Sequence, residues 1–316
     1  MGVTPPTFDD IEAAADRIKD RVRRTPCLRT RFVRNPIHNG DVLLKLECLQ
    51  VTGSFKSRGA NNAVLSLDDA AVARGVVTAS SGNHGSAVAY AARASGTKAY
   101  VYLPDSTPAD KIAKLHQWDA EVIIGGAVWD DANDAALARV ERDGLNYIAP
   151  FADPTVIAGN GTVGREMMKQ SSNIDILVVA IGGGGLISGV ATAAKAMKPS
   201  IKIIGVEPTG APTLKSSRDA GALVTLDEIT TAATSLAPRR SADINLDIIT
   251  KYVDDIVLVS DDDMRAATHW LWFEMGIAAE LSGAAALAAI HTGKISLPRD
   301  ATVAAVVCGA GATDIV

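Results

Sequence analysis

Short apolar runs recur along residues 76–149, separated by stretches of helical periodicity. The runs are "VVTAS", "AYVYLP", "EVIIGG" and "NYIAP"; "GSAVAYAARAS", "ADKIAKLHQW" and "DDANDAALARVERD" lie between them. A strand that is apolar at nearly every position is covered on both faces. Strands of that kind joined through helices pair in parallel, because a parallel pair needs a long crossover. A second series follows: a helix over residues 156–170, "DILVVAIGGGG", a helix over 186–197, "KIIGVEP", "DIVLVS", helices over 261–277 and 282–291, and a last strand "TVAAVVCG". The two series predict an α/β protein of two domains, each an open, mostly parallel sheet flanked by helices. Residues 1–50 and 151–316 make the large domain, and residues 51–150 a smaller one inserted in it. Ahead of both, residues 8–24 read as an amphipathic helix: Ile11, Ala15, Ile18 and Val22 share a face, acids lie in the first turn and arginines in the last. "VLLKLE" (42–47) reads as a strand that leads towards a helix over 57–67.

Composition removes several function classes. Of 316 residues, 47% are hydrophobic and 21% charged, which suits a folded chain with a large core. A net charge of −5 and 4% aromatics argue against nucleic acid, which calls for a basic face and stacking platforms. Cys27, Cys48 and Cys308 are widely spaced and make no C-x-x-C pair, the usage of a reducing, cytoplasmic compartment. The five histidines show no zinc-binding spacing. The first twenty residues lack the apolar stretch of a signal peptide, and the longest apolar runs are too short to span a bilayer.

Open parallel sheets bind ligands at the carboxyl ends of their strands. Three segments stand there, residues 80–85, glycines 182–185 and Cys308, and a fourth, around Lys56, follows the strand at 42–47. Gly182, Gly183, Gly184 and Gly185 lie between a strand and a helix, where bare N–H groups and a helix start can cradle a phosphate. Neither G-K-[ST] nor G-x-G-x-x-G accompanies them, which disfavours ATP and dinucleotides. "SSGNHG" (80–85) offers two hydroxyls, an amide and an imidazole at a helix start, a setting for a carboxylate. Lys56, within "GSFKSRGA" (53–60), stands at a helix start among apolar residues, where a neutral, nucleophilic amine is favoured and a Schiff base can form. Each segment has a plainer alternative: a tight turn, an ordinary helix cap, a lysine reaching to solvent. Together they describe one ligand, a phosphorylated aldehyde held covalently by lysine: pyridoxal 5′-phosphate.

"GSFKSRGA", "SSGNHG" and "GGGGL", with "VIAGNGT" (156–162), "GVEP" (205–208) and "VDDIVLVSDDDM" (253–264), resemble in order the serine/threonine dehydratase and serine racemase family. The resemblance covers nearly the whole chain. It implies the fold-type II pyridoxal-phosphate architecture (tryptophan synthase beta-like), with the large domain binding the cofactor, a homodimer, and an amino acid as substrate. It makes Lys56 the Schiff-base lysine, with Phe55 against the pyridine ring and Asn83 on the ring hydroxyl. Gly182 to Gly185 and Leu186 would hold the phosphate, and Cys308 would face the ring nitrogen. Ser80, Ser81, Asn83 and His84 would take the substrate carboxylate.

The implied reaction is β-elimination of water from an L-threonine- or L-serine-type substrate, giving a 2-oxo acid and ammonia, with Lys56 as the base. Ser81 falls where family members carry a second-face base, so a serine racemase is the alternative. A dehydratase for another β-hydroxy amino acid, such as 3-hydroxyaspartate, is a further one. Departures from the family pattern bear on details. Glu207 and Ala211 match two of three ligands of a divalent-cation site, but Thr213 stands at its acidic position. The end of the chain, "CGAGATDIV", has no asparagine and leaves no room for an appended regulatory domain. Arg239 and Arg240 are extra charges that could read a second anionic group.

Overall fold

The run Ile176–Ala180 (β7) is buried at every position, and it forms the middle of a six-stranded sheet. The computed structural model describes residues 3–38, 40–80 and 82–312. Within the large sheet the order is β1 (Cys27–Arg29), β2 (Val42–Leu46), β10 (Val303–Val307), β7, β8 (Lys202–Pro208) and β9 (Asp255–Val259). All neighbours are parallel except β1, which runs antiparallel to β2 at the edge. Strand β10 lies between β2 and β7, with Val303 opposite both Val42 and Ile176. Its sequence, VAAVV, has no polar side chain, as a strand covered on both faces requires.

A second sheet takes four strands from the middle of the chain, in the order β5 (Glu121–Ile124), β4 (Ala99–Leu103), β3 (Val76–Ala79), β6 (Asn146–Tyr147), all parallel. The helices α2 (Lys56–Leu65), α3 (Asp69–Arg74), α4 (Asn83–Ala94), α5 (Ala109–His116) and α6 (Trp129–Asp143) are interleaved with it. Around the large sheet lie α1 (Phe8–Ile18), α7 (Pro154–Gln170), α8 (Gly185–Met197), α9 (Thr213–Ala220), α10 (Asp243–Tyr252), α11 (Asp261–Met275) and α12 (Leu281–His291). None of the described helices is long and apolar enough to cross a membrane.

Both sheets reverse their strand order at one place. In the small sheet the chain builds outward from β3 through β4 to β5, then returns beside β3 as β6. In the large sheet β8 and β9 extend from one side of β7, and β10 comes back on the other. Crevices form at such points. The segments after β3, β7 and β10 are residues 80–85, glycines 182–185 and Cys308.

Five elements depart from the reading of the sequence; one of them, the short helix α3, has no expectation to match it. Helix α1 stops at Ile18, a turn and a half before residue 24. Beyond it the backbone is taken by tertiary partners: Tyr90 Oη donates to the Arg21 carbonyl at 2.7 Å, and the Gln50 amide pairs with both the N–H and the C=O of Arg23 at 2.8 Å. Strand β1 and helices α9 and α10 have no expectation to match them, because they are short and lack an apolar run or a long amphipathic period.

Candidate active site

Two turns of unusual backbone carry the chain from β2 to Lys56. Thr52 and Gly53 both have positive φ, 63° and 83°, and Ser54 then pairs with Gly309 in an antiparallel bridge. The Phe55 N–H donates to the Cys308 carbonyl at 3.2 Å, and the Ala310 N–H to the Gly53 carbonyl at 2.8 Å. The approach to Lys56 is thus stitched to the chain leaving β10. Lys56 opens α2 with Phe55 before it, and its Nζ donates to the Pro150 carbonyl at 2.7 Å. Burial pulls the amine down to about 8 from an ordinary 10.5. The Phe55 ring centroid lies 5.3 Å from Nζ.

Pro150 leads into Phe151, which packs under the glycine turn. A Cβ on Gly183 would stand 2.3 Å from the Phe151 ring, and one on Gly185 would stand 2.9 Å from its backbone, so side chains are excluded at both. Gly184 precedes α8 at φ 94°, a left-handed conformation that glycine adopts without strain. No side chain caps α8, so its first N–H groups, from Gly185 and Leu186 onward, are left to another acceptor. Asn245 and Ser241 hold the turn from outside: Asn245 Nδ2 and Ser241 Oγ each donate to the Gly183 carbonyl at 2.9 Å.

The third segment closes the ring of contacts. Ser80, half-buried, accepts at Oγ from the Gly82 N–H at 3.3 Å, and Asn83 begins α4. Ser81 lies outside the described residues. His84 is buried, with Nε2 2.9 Å from the Ile148 carbonyl; burial and the neighbouring Lys56 charge push it down to about 3, so it is a neutral imidazole. Asn83 Nδ2 donates to Glu280 Oε1 at 2.8 Å. Beside them the Cys308 Sγ lies 3.4 Å from the Ser282 carbonyl; burial, then the Glu280 charge, raises this thiol far above its usual range and keeps it neutral.

Glu207 has a different employment. Its two carboxylate oxygens accept from the Leu214 and Lys215 N–H groups at 2.8 Å each, at the start of α9, and burial raises it to about 7. Ala211 is buried nearby, and the Thr213 hydroxyl donates to the Pro238 carbonyl. Among the described residues no three His, Cys, Asp or Glu side chains converge as a metal site. Arg239 Nε donates to the Leu226 carbonyl, and Arg240 Nη1 to the Thr225 hydroxyl and the Leu223 carbonyl. These two arginines fasten the segment at 223–226.

Several supporting residues escape sequence reasoning: Glu280, Ser241, Asn245 and Trp129, whose indole N–H donates to the Ala79 carbonyl at the end of β3. Each is distant in sequence from the group it holds and belongs to no motif. Arg58 is different, since it stands within "GSFKSRGA". It is fully buried and bidentate to Glu47 at 2.8 Å on both oxygens, and it reaches Glu166 at 2.8 and 3.0 Å. Lys45 donates to the same Glu166 at 2.7 Å. An arginine two residues after a candidate catalytic lysine is the signal that could have found this cluster.

Two parallel sheets whose strand ends meet at a weakly basic lysine and an uncapped glycine turn define a fold-type II enzyme of pyridoxal-phosphate chemistry. The residues fit that group: an amine of lowered basicity suits its aldehyde, and bare helix-start N–H groups suit its phosphate. The chain belongs to the pyridoxal-phosphate dependent enzymes, whose family model matches residues 18–309. It is 39% identical over 284 residues to the L-threonine ammonia-lyase of Thermotoga maritima, covering 90% of this chain and 71% of that one. It is 40% identical over 280 residues to a serine racemase of Arabidopsis thaliana, covering 89% and 84%. The solved structure of maize serine racemase superposes with a TM-score of 0.93 at 35% identity, covering 97% of this chain and 94% of the other.

Proposed function

We propose that this enzyme is an ammonia-lyase that removes water from a β-hydroxy amino acid of the L-threonine or L-serine type, releasing a 2-oxo acid and ammonia. The observation that carries the reading is the pairing of one half-buried amine of depressed basicity, Lys56, with a neutral thiol, Cys308, in a relative of threonine ammonia-lyases. The cofactor, when bound, supplies an electron sink that acidifies the substrate Cα–H. Lys56 holds the cofactor and takes the Cα proton at Nζ. Phe55 lies against the ring, and glycines 182–185 with Leu186 hold the phosphate at the start of α8. Ser80, Ser81, His84 and the Asn83 backbone N–H would receive the substrate carboxylate at the start of α4, and the Asn83 side-chain amide would reach the ring hydroxyl; the neutral imidazole brings no charge that would compete with the carboxylate. Cys308 serves at the ring nitrogen. A neutral thiol there, rather than a carboxylate, would leave the ring a weaker electron sink.

The second reading is a serine racemase, favoured by the 40% identity to the Arabidopsis protein and by Ser81 as the base of the opposite face. Oxo-acid release from L-threonine and L-serine, with chiral analysis of the remaining serine, decides between them. The lyase should yield oxo acid from both substrates. Conversion of L-serine mainly to its enantiomer, with little oxo acid, would overturn the lyase in favour of the racemase. A 3-hydroxyaspartate panel tests the remaining specificity; Arg239 and Arg240, engaged with the 223–226 segment, give that substrate no support. The three free cysteines fit a cytoplasmic enzyme, which fractionation of cells would test. A homodimer is supported by exposed Phe32, Trp272 and Phe273, on segments that the Arg34–Glu274 pair ties together. A monomer mass in sedimentation would overturn it.

A further inference from the structure

Glu280 immediately precedes α12, a position from which an acceptor side chain can cap the helix N–H groups. This one makes no such cap. Its Oε1 instead accepts from Asn83 Nδ2 at 2.8 Å, across 197 residues of sequence. Room for the carboxylate is made by Gly309: a Cβ there would stand 2.4 Å from Glu280 Oε1 and 3.3 Å from Asn83 Nδ2. Gly309 is itself fixed, by its bridge to Ser54 and by the Glu280 N–H, which donates to its carbonyl at 3.2 Å.

A carboxylate is an acceptor only, whereas an asparagine amide has an acceptor end and a donor end. Facing Glu280, the amide must turn its nitrogen inward, because Oδ1 in that place would meet the carboxylate oxygen head-on. Nδ2 carries two N–H groups, and one is spent on Glu280. The other stays a donor, and the flip that would present Oδ1 in its place is forbidden. We propose that Glu280 is a positioning residue which locks Asn83 in its donor orientation toward the cofactor's ring oxygen. The inference rests on the reading that Asn83 stands beside that oxygen.

The test measures cofactor affinity by titrating apo protein with pyridoxal phosphate, together with the visible absorption maximum of the loaded protein and the melting temperature of the apo form. Glu280→Gln can present either a donor or an acceptor, so it releases the lock while keeping the shape. It should weaken cofactor binding roughly tenfold, the lower range for a hydrogen bond to a charged group. The absorption maximum should shift, and apo melting should change little. In the cycle of Asn83→Ala, Glu280→Ala and the double variant, the double should lose little more than Asn83→Ala alone. Additive losses, or a Glu280→Gln protein with unchanged affinity and spectrum while Asn83→Ala loses both, would overturn the role of Glu280 and leave the reading of Asn83 standing. An Asn83→Ala protein unchanged in both would overturn that reading and the inference with it. If Glu280→Gln does not fold, Glu280→Asp, which keeps the charge one methylene short, is read by the same affinity and spectrum. A loss confined to apo stability makes Glu280 merely structural.

Discussion

An amine held at about 8 behaves unlike a surface lysine. At pH 7 roughly a tenth of such a group is neutral, against about one part in 3,000 at the ordinary 10.5. The cause is burial at the start of α2, where Nζ donates to a neutral carbonyl, that of Pro150. Only the neutral amine attacks an aldehyde. Cofactor capture by apo protein should therefore speed up about tenfold per pH unit between pH 6 and 7.5, then level off near 8. Stopped-flow absorbance checks this, and a rate still climbing at pH 10 would contradict the depressed basicity. Borohydride reduction of the loaded protein should place the label on Lys56.

At the scale of elements, two helix starts are used in opposite ways. Helix α8 is left uncapped behind a turn that excludes side chains, whereas α9 is capped by the buried Glu207. Gly183→Ala would put a methyl 2.3 Å from the Phe151 ring. Overpacking of that kind costs about 1–3 kcal/mol, and here it displaces the turn itself. The expected outcome is a folded protein, slightly less resistant to urea, whose affinity for pyridoxal phosphate is lost. Glu207 predicts a pH effect on stability. Its folded value is raised from 4.5 to about 7, so between those values the folded protein holds more of this proton than the unfolded chain. The unfolding free energy then falls as pH rises through that window. Urea midpoints from pH 4.5 to 7.5 should show wild type losing ground relative to Glu207→Gln, which has no such proton to lose.

For the whole molecule, the buried ion cluster joins α2 to β2, to the turn after it and to α7. Arg58 and Glu47 are wholly buried and Glu166 partly so, while Lys45 and the Thr25 hydroxyl complete the set. Arg58→Ala would strand the Glu47 carboxylate in the interior and leave Glu166 with Lys45 as its charged partner. Removing one partner of a buried pair costs about 3–5 kcal/mol. Equilibrium unfolding in urea should register that loss. A loss below about 1 kcal/mol, the range of exposed pairs, would mean that water reaches the cluster. The same cluster explains why α2 keeps its position while its first residue carries a poorly solvated amine.

The alternation of apolar runs and helical periods was enough to determine the α/β class, because burial on both faces leaves a run without polar positions whatever the strand order. Lys56, the glycine turn and the 80–85 loop were legible because each carries its chemistry in consecutive residues. Strand order was not legible: β10, last in the chain, enters between β2 and β7, and nothing local encodes that neighbour. Helix α1 was read too long because its last turn is overridden by Tyr90 and Gln50. Ser241, Asn245 and Glu280 were invisible for the same reason. Their partners, the Gly183 carbonyl and the Asn83 amide, lie 58 to 197 residues away. A hydrogen bond leaves no periodicity in a sequence, so only the folded chain decides which distant side chain holds each part of the site.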